Sequence, residues 1–127
     1  MTTADILRQG AVELQRRGWT QFIRHEDLTA AAGRMCAIGA IEAGAGCPWQ
    51  AEIDCPDALR ALAAILPPQT SRYTTPEVIT ITSWNNAAEQ TAENVIATLE
   101  LAAICAEQAA RRHPVGEPAE TREAVTA

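Results

Sequence analysis

Cys36 is the residue of this sequence with the clearest capacity for chemistry. If a helix begins at this point, the thiol lies at the positive end of the helix dipole, which favours the thiolate. A thiolate nucleophile also needs a base, and His25 and His113 are the two histidines of the chain. Asn85 or Asn86 could orient that base or donate a hydrogen bond to an oxyanion. These residues define a hypothesis of a small thiol-dependent enzyme.

A packing role for Cys36 is the interpretation that we favour, because an unpaired cysteine is among the most buried residue types. Gly39 lies three residues on, on the same helical face, and is expected to allow another backbone to approach. The other cysteines are Cys47, Cys55 and Cys105, and ten, seven and forty-nine residues separate the four in turn. Structural zinc sites draw their ligands from closely spaced pairs. The sequence therefore predicts no metal site and no cofactor, and four thiols in a reducing compartment.

Aromatic and amide side chains near predicted turns form the candidate binding patch. Trp19 and Trp84 are expected to anchor the core at helix ends, and an interaction site is the alternative, since aromatic residues concentrate at such sites. Trp49 follows Cys47-Pro48 on a predicted loop and is the best candidate for an exposed ring. The Asn85-Asn86 pair is typical of turns and caps. The patch comprises Trp19, Cys36, Trp49, Trp84, Asn85 and Asn86.

The elements that must position these residues are predicted to be helices. Thr2 and Asp5 form a capping-box pattern before a helix over 3–17, which Gly18 ends. A short apolar helix follows over 35–43, with a strand as the alternative. Proline-led helices are expected over 56–66 and directly after Thr75, although the β-branched run 78–82 pulls towards strand. The last helix continues to about residue 112, capped by Asn86 or by Thr91.

The composition suits a mostly α-helical domain. Of 60 apolar residues, 26 are alanine, which has the highest helix propensity and lets helices approach closely. We expect a single-domain bundle of about four to five helices with long loops over residues 1–113, and a flexible tail over 114–127. Leu101 and Ile104 lie off the core stripe of the last helix, about 200° and 140° from Leu99. This placement favours a homodimer.

Charge and hydropathy exclude several classes of partner. Ten arginines and no lysine stand against sixteen acidic residues, and no basic stripe is present, so nucleic-acid binding is not expected. No run of about 20 apolar residues exists, so a membrane span is not expected either. The N-terminus lacks the pattern of an export signal, which predicts a cytoplasmic protein. Abundant Ala and Arg without Lys indicate a GC-rich genome.

Three motifs in order resemble a known family. They are Gly18-Trp-Thr-Gln after the first helix, Cys36-Ala-Ile-Gly-Ala-Ile, and Trp84-Asn-Asn before the last helix. This order is similar to that of a family of small actinobacterial and actinophage proteins of unknown function, across residues 4–104. The resemblance implies a mostly helical fold and an actinobacterial or phage source. The family usually carries Asp at the position of Asn86, so the carboxylate that could act there as a base or ligand is replaced by an amide.

The sequence as a whole favours a binding protein over an enzyme. No phosphate-binding glycine loop, nucleophile elbow, zinc-protease motif or calcium loop is present. We therefore expect this chain to act by binding another protein, which is a host protein if the chain is phage-encoded. The thiol-dependent enzyme centred on Cys36 is the alternative.

Overall fold

The computed structural model describes residues 1–21, 33–46 and 54–112, and these ranges contain five α-helices. These five helices confirm the predicted fold class, which is mostly α-helical. Their bounds are α1 Thr3–Arg17, α2 Ala37–Ala45, α3 Pro56–Ala63, α4 Pro76–Asn85 and α5 Ala92–Arg112. None of these described helices combines the length and the apolar character needed to cross a membrane. The predicted tail and the positions of Trp49, His25 and His113 lie outside the described residues.

Helix α1 begins and ends where its sequence signals predict. The Thr2 hydroxyl accepts from the Asp5 backbone N–H at 3.1 Å, and the Asp5 carboxylate accepts from the Thr2 N–H at 3.0 Å. This capping box satisfies two backbone donors that the first turn leaves without helical partners. Gly18 follows at φ 93°, a conformation that side-chain-bearing residues rarely adopt.

The close crossing of α1 and α2 depends on glycines other than the one the sequence suggested. A Cβ added at Gly10 would lie 2.8 Å from the carbonyl oxygen of Ala40, and one added at Gly44 would lie 2.7 Å from Gly10 N. A Cβ added at Gly39 would meet only the side chains of Met35 and Cys36, at 3.4 and 3.8 Å. The prediction that Gly39 marks the helix contact is therefore wrong, because the face of α2 that touches α1 carries Ala40 and Gly44.

Helices α3 and α4 both begin at a proline. Thr75 caps α4 by accepting from the Val78 N–H at 3.3 Å. Tertiary contacts hold the β-branched residues of α4 in the helix. Ile81 is fully buried, and the Thr80 hydroxyl accepts from Gln69 N at 2.9 Å. Helix α3 ends at Ala63, three residues before the predicted end.

Helix α5 begins after Thr91, whose hydroxyl accepts from Asn94 N at 3.1 Å. Of the two predicted caps, Thr91 is therefore the one used, and Asn86 instead ends α4. All five helices contribute to one core, and α1 packs against both α2 and α5. The largest fully buried side chains are Leu7, Leu14, Ile41, Leu62, Ile81, Val95 and Leu99.

Candidate functional site

The three motifs meet at one buried amide. Asn85, in the last turn of α4, is 2% exposed and contacts the segment after α1 and the start of α2. We call Asn85 and its partners Trp19, Thr20, Ala37 and Asn86 the Asn85 junction. The structure therefore brings together the motif residues that the sequence singled out, although they lie in three separate parts of the chain.

The Asn85 side chain uses its whole hydrogen-bonding capacity within the fold. Its Oδ1 accepts from Trp19 Nε1 at 2.8 Å and from the Ala37 backbone N–H at 3.0 Å. Its Nδ2 donates to the Thr20 carbonyl at 3.3 Å and to Asn86 Oδ1 at 3.1 Å. Because the indole and the backbone N–H only donate and the carbonyl only accepts, the amide orientation is fixed. Ala37 N is one of the donors that the start of α2 leaves without a helical partner.

Backbone contacts hold the segment after α1 beside the start of α2. Met35 N donates to Gly18 O at 2.9 Å and Thr20 N donates to Met35 O at 3.0 Å, which forms an isolated parallel bridge. The Gln21 side chain then donates to the carbonyls of Asn85 and Ala87, at 3.1 and 2.7 Å. The Gln21 amide thus satisfies carbonyls at the end of α4.

Cys36 lies at the N-cap of α2, as the thiol hypothesis requires, and its Sγ accepts from Gly39 N at 3.4 Å. Burial nevertheless raises the pKa of the thiol above its ordinary 9.0, and this outweighs the opposing effect of the Gly39 and Ile38 N–H groups. The thiol is therefore protonated at neutral pH. Such a thiol is a poor nucleophile, since the thiolate is the reactive form.

The remaining patch residues are only partly accessible. Trp19 and Trp84 are half-buried and pack against the core, and Asn86 is also half-buried. The Trp84 carbonyl accepts from Gln90 Nε2 at 2.9 Å. The aromatic residues therefore anchor helix ends, which is the role that the sequence favoured for them.

A second surface lies on α1 and α5. Val12, Leu101 and Ile104 are 50%, 51% and 46% exposed. Val12 and Ile104 line a groove of about 330 Å³ between the two helices, together with Arg8, Gln15 and Glu100. We call these six residues the α1–α5 face.

The sequence pointed to part of the α1–α5 face. It marked Leu101 and Ile104 as apolar residues off the core stripe but missed Val12. The same kind of signal was present for Val12, which is an apolar residue off the core stripe of α1 that Ala11 and Leu14 mark.

An ion pair borders the groove. Arg8 donates from Nη1 to Glu107 Oε2 at 2.8 Å and from Nη2 to Glu107 Oε1 at 2.5 Å. The hydrogen bond from the guanidinium is the main reason that the pKa of Glu107 lies below its ordinary value. In the ranges that the structure describes, no three His, Cys, Asp or Glu residues cluster as metal ligands.

The fold and this site define a small all-α domain whose motif residues cross-connect its helices. The chain belongs to a family of unknown function, DUF6197, whose model matches residues 1–104. That range contains the whole Asn85 junction and the three exposed apolar residues of the α1–α5 face. No curated protein and no solved structure matches the chain significantly.

Proposed function

We propose that this protein acts by binding another protein through the α1–α5 face. The observation that carries the proposal is the exposure of Val12, Leu101 and Ile104 on two adjacent helices. Exposed apolar side chains beside a groove that polar residues also line are typical of interaction sites.

The helices beneath this face suit a binding role because they are firmly held. Leu7 and Ala11 of α1 and Leu99 and Ala103 of α5 are buried in the same core. A surface on packed helices loses little conformational entropy when a partner binds. Covering the exposed half of one such aliphatic side chain is worth about 1 kcal/mol, or about fivefold in affinity.

Capture experiments with charge-bearing variants test this proposal. Ile104→Glu places a carboxylate in the groove and Leu101→Glu places one at the other exposed apolar residue of α5, while Tyr73→Glu is the matched control. Tyr73 is 88% exposed in the loop between α3 and α4. Each tagged variant is cross-linked in lysate of the natural host, and captured proteins are quantified by mass spectrometry. The proposal predicts that the first two variants lose a protein, or a second copy of the chain, that Tyr73→Glu retains. Equal capture by all three folded variants would contradict it.

The source, compartment and partner class belong to the same proposal. An actinobacterial or phage source is supported by the motif resemblance and by the Arg-only basic composition. A cytoplasmic location is supported by Cys36 and Cys105, which are thiols in the structure. If the chain is phage-encoded, the partner class is a host protein.

The predicted patch is a second candidate surface, and its members within the described residues are Trp19, Cys36, Trp84, Asn85 and Asn86; Trp49 lies outside them. Its support is the convergence of these residues, since Trp19 and Asn86 both contact Asn85. Asn86→Ala tests it because the change removes the hydrogen bond from Asn85 Nδ2 to Asn86 Oδ1 and leaves the other three hydrogen bonds of the Asn85 amide in place. Loss of capture by this variant at an unchanged melting temperature would assign binding to the junction.

Thiol-dependent catalysis by Cys36 is the alternative function, and its support is the position of the thiol at the N-cap of α2. Maleimide labelling of Cys36 in the folded protein across pH, located by peptide mass spectrometry, separates catalysis from binding. A structural thiol with a raised pKa reacts slowly at pH 7 and quickly only after unfolding. Fast labelling below pH 7 would favour the enzyme.

A further inference from the structure

We infer that the α1–α5 face binds the same face of a second copy of this chain, around a twofold axis parallel to the two helices. The inference rests on the proposed use of this face for protein binding and names the partner. It commits to a second copy because the face is complementary to itself in both charge and apolar character.

Helices α1 and α5 run antiparallel. We call two residues level when they lie at the same height along the two helix axes, and the level pairs follow a regular order. Arg8 is level with Glu107, to which it is hydrogen-bonded. Val12 and Ile104 line the same groove, as do Gln15 and Glu100. In each case the two residue numbers add to 115 or 116, as antiparallel helices of equal rise require.

This register places an acidic residue of one helix level with a basic residue of the other at three levels. Arg8 on α1 is level with Glu107 on α5. One turn or two away, the same register sets Asp5 level with Arg111, and Arg16 level with Glu100. Between these charged levels lie Val12 and Ile104, which form the apolar centre of the face.

A twofold axis parallel to the helices sets α1 of one copy against α5 of the other at the same level. Arg8 then lies between its own Glu107 and the partner's Glu107, so the four charges alternate in sign. Val12 meets the partner's Ile104 in the centre. Such an interface is isologous and closes as a dimer.

The other twofold arrangement gives the opposite electrostatic result. An axis across the helices at Val12 and Ile104 sets each helix against its own copy in reverse. Arg8 would then face the partner's Arg16, and Glu100 would lie beside the partner's Glu107. Like charges at an interface are disfavoured, so the charge pattern selects the parallel axis. A chain with sixteen acidic and ten basic residues generally repels its own copies, but this face does not share that imbalance.

A charge-exchange experiment tests the pairing and its register together. Arg16→Glu alone and Glu100→Arg alone each place like charges across the interface of their own dimer. Arg16→Glu also removes the ion pair that Arg16 makes with Glu13 on α1, and this loss within one copy is the same alone and in a mixture. When the two variants are mixed, every such contact is between opposite charges again. We expect the dimer dissociation constant of each variant alone to rise at least about tenfold over wild type, and the equimolar mixture to recover wild-type affinity.

Sedimentation equilibrium up to high micromolar concentration measures these constants, and thermal melting confirms that each variant is folded. Ile104→Glu should abolish the wild-type dimer, while Tyr73→Glu should leave it unchanged. A wild-type chain that stays monomeric overturns the inference, as does a mixture no tighter than its components. If the chain is monomeric and Leu101→Glu still loses a captured protein, the proposed function stands and only the second copy is wrong. If the chain is monomeric and capture is unaffected, the proposed function and the second-copy inference are both wrong.

Discussion

Replacing Gly44 with alanine tests the backbone contact between α1 and α2. An added Cβ would meet the Ile6 carbonyl oxygen most closely and would lie 2.7 Å from Gly10 N, which is 0.7 Å short of ordinary van der Waals contact at 3.4 Å. Its neighbours are backbone atoms of α1, so no side chain can rotate away and the helices must separate. A gap of this size forfeits a quarter to a half of the dispersion energy of each contact that it opens.

The magnitude follows from two opposing effects. Overpacking at a backbone contact costs about 3 kcal/mol, the upper end of the usual range, because neither helix can adjust locally. Alanine is about 1 kcal/mol more favourable than glycine within a helix. We therefore expect Gly44→Ala to lower the free energy of unfolding by about 2 kcal/mol.

Urea unfolding of Gly44→Ala beside Gly39→Ala measures this effect against a matched control. Both changes add one methyl group to α2, but a Cβ at Gly39 meets only flexible side chains at 3.4 Å or more. Gly39→Ala should therefore leave the free energy of unfolding unchanged or raise it by up to about 1 kcal/mol. If Gly44→Ala is as stable as Gly39→Ala, the close crossing is absent and the packing argument fails.

Three further predictions concern the junction, the ion pair and the tail. Asn85→Ala leaves the donors of Trp19 and Ala37 without their buried partner, so it should cost about 3 kcal/mol or more, measured by urea unfolding. The pKa of Glu107 is lowered in the folded state, so its ion pair with Arg8 stabilises the fold fully at pH values above the ordinary pKa of 4.5. This stabilisation is lost as the pH falls through the lowered pKa. Melting temperatures below pH 4.5 should therefore depend less on pH in Glu107→Gln, and identical profiles would refute this. Deleting 114–127, which carry few large apolar residues, should leave the melting temperature within a few degrees, whereas a collapse would show that the tail docks.

Local signals predicted the helices well because their ends are set by short-range chemistry. The capping box of Thr2 and Asp5 and the proline at the start of α4 each act within one turn. Local sequence does not decide whether Asn86 or Thr91 caps α5, because the position of Asn86 depends on long-range contacts. Asn86 accepts from the Asn85 side chain, whose position depends on contacts with Trp19 and Ala37.

The helix crossing and the buried amide could not be read from local pattern. A glycine in a helical stretch signals a close approach only if its face is turned towards a neighbour, and α2 turns Gly44 rather than Gly39 towards α1. The Asn85-Asn86 pair predicts turn or cap chemistry because asparagine is favoured at both kinds of position. The burial of Asn85 depends on partners from two distant segments, which the sequence around it does not encode.

The Asn85 amide also bears on how this chain folds in time. Its partners Trp19, Thr20 and Ala37 lie 66, 65 and 48 residues away along the chain. Contacts of such long sequence separation form only after the intervening helices have docked, because the loop-closure entropy must first be overcome. We expect the loss of this amide to accelerate unfolding far more than it slows refolding. The amide would then govern how long a folded molecule survives rather than how fast a new chain reaches its fold.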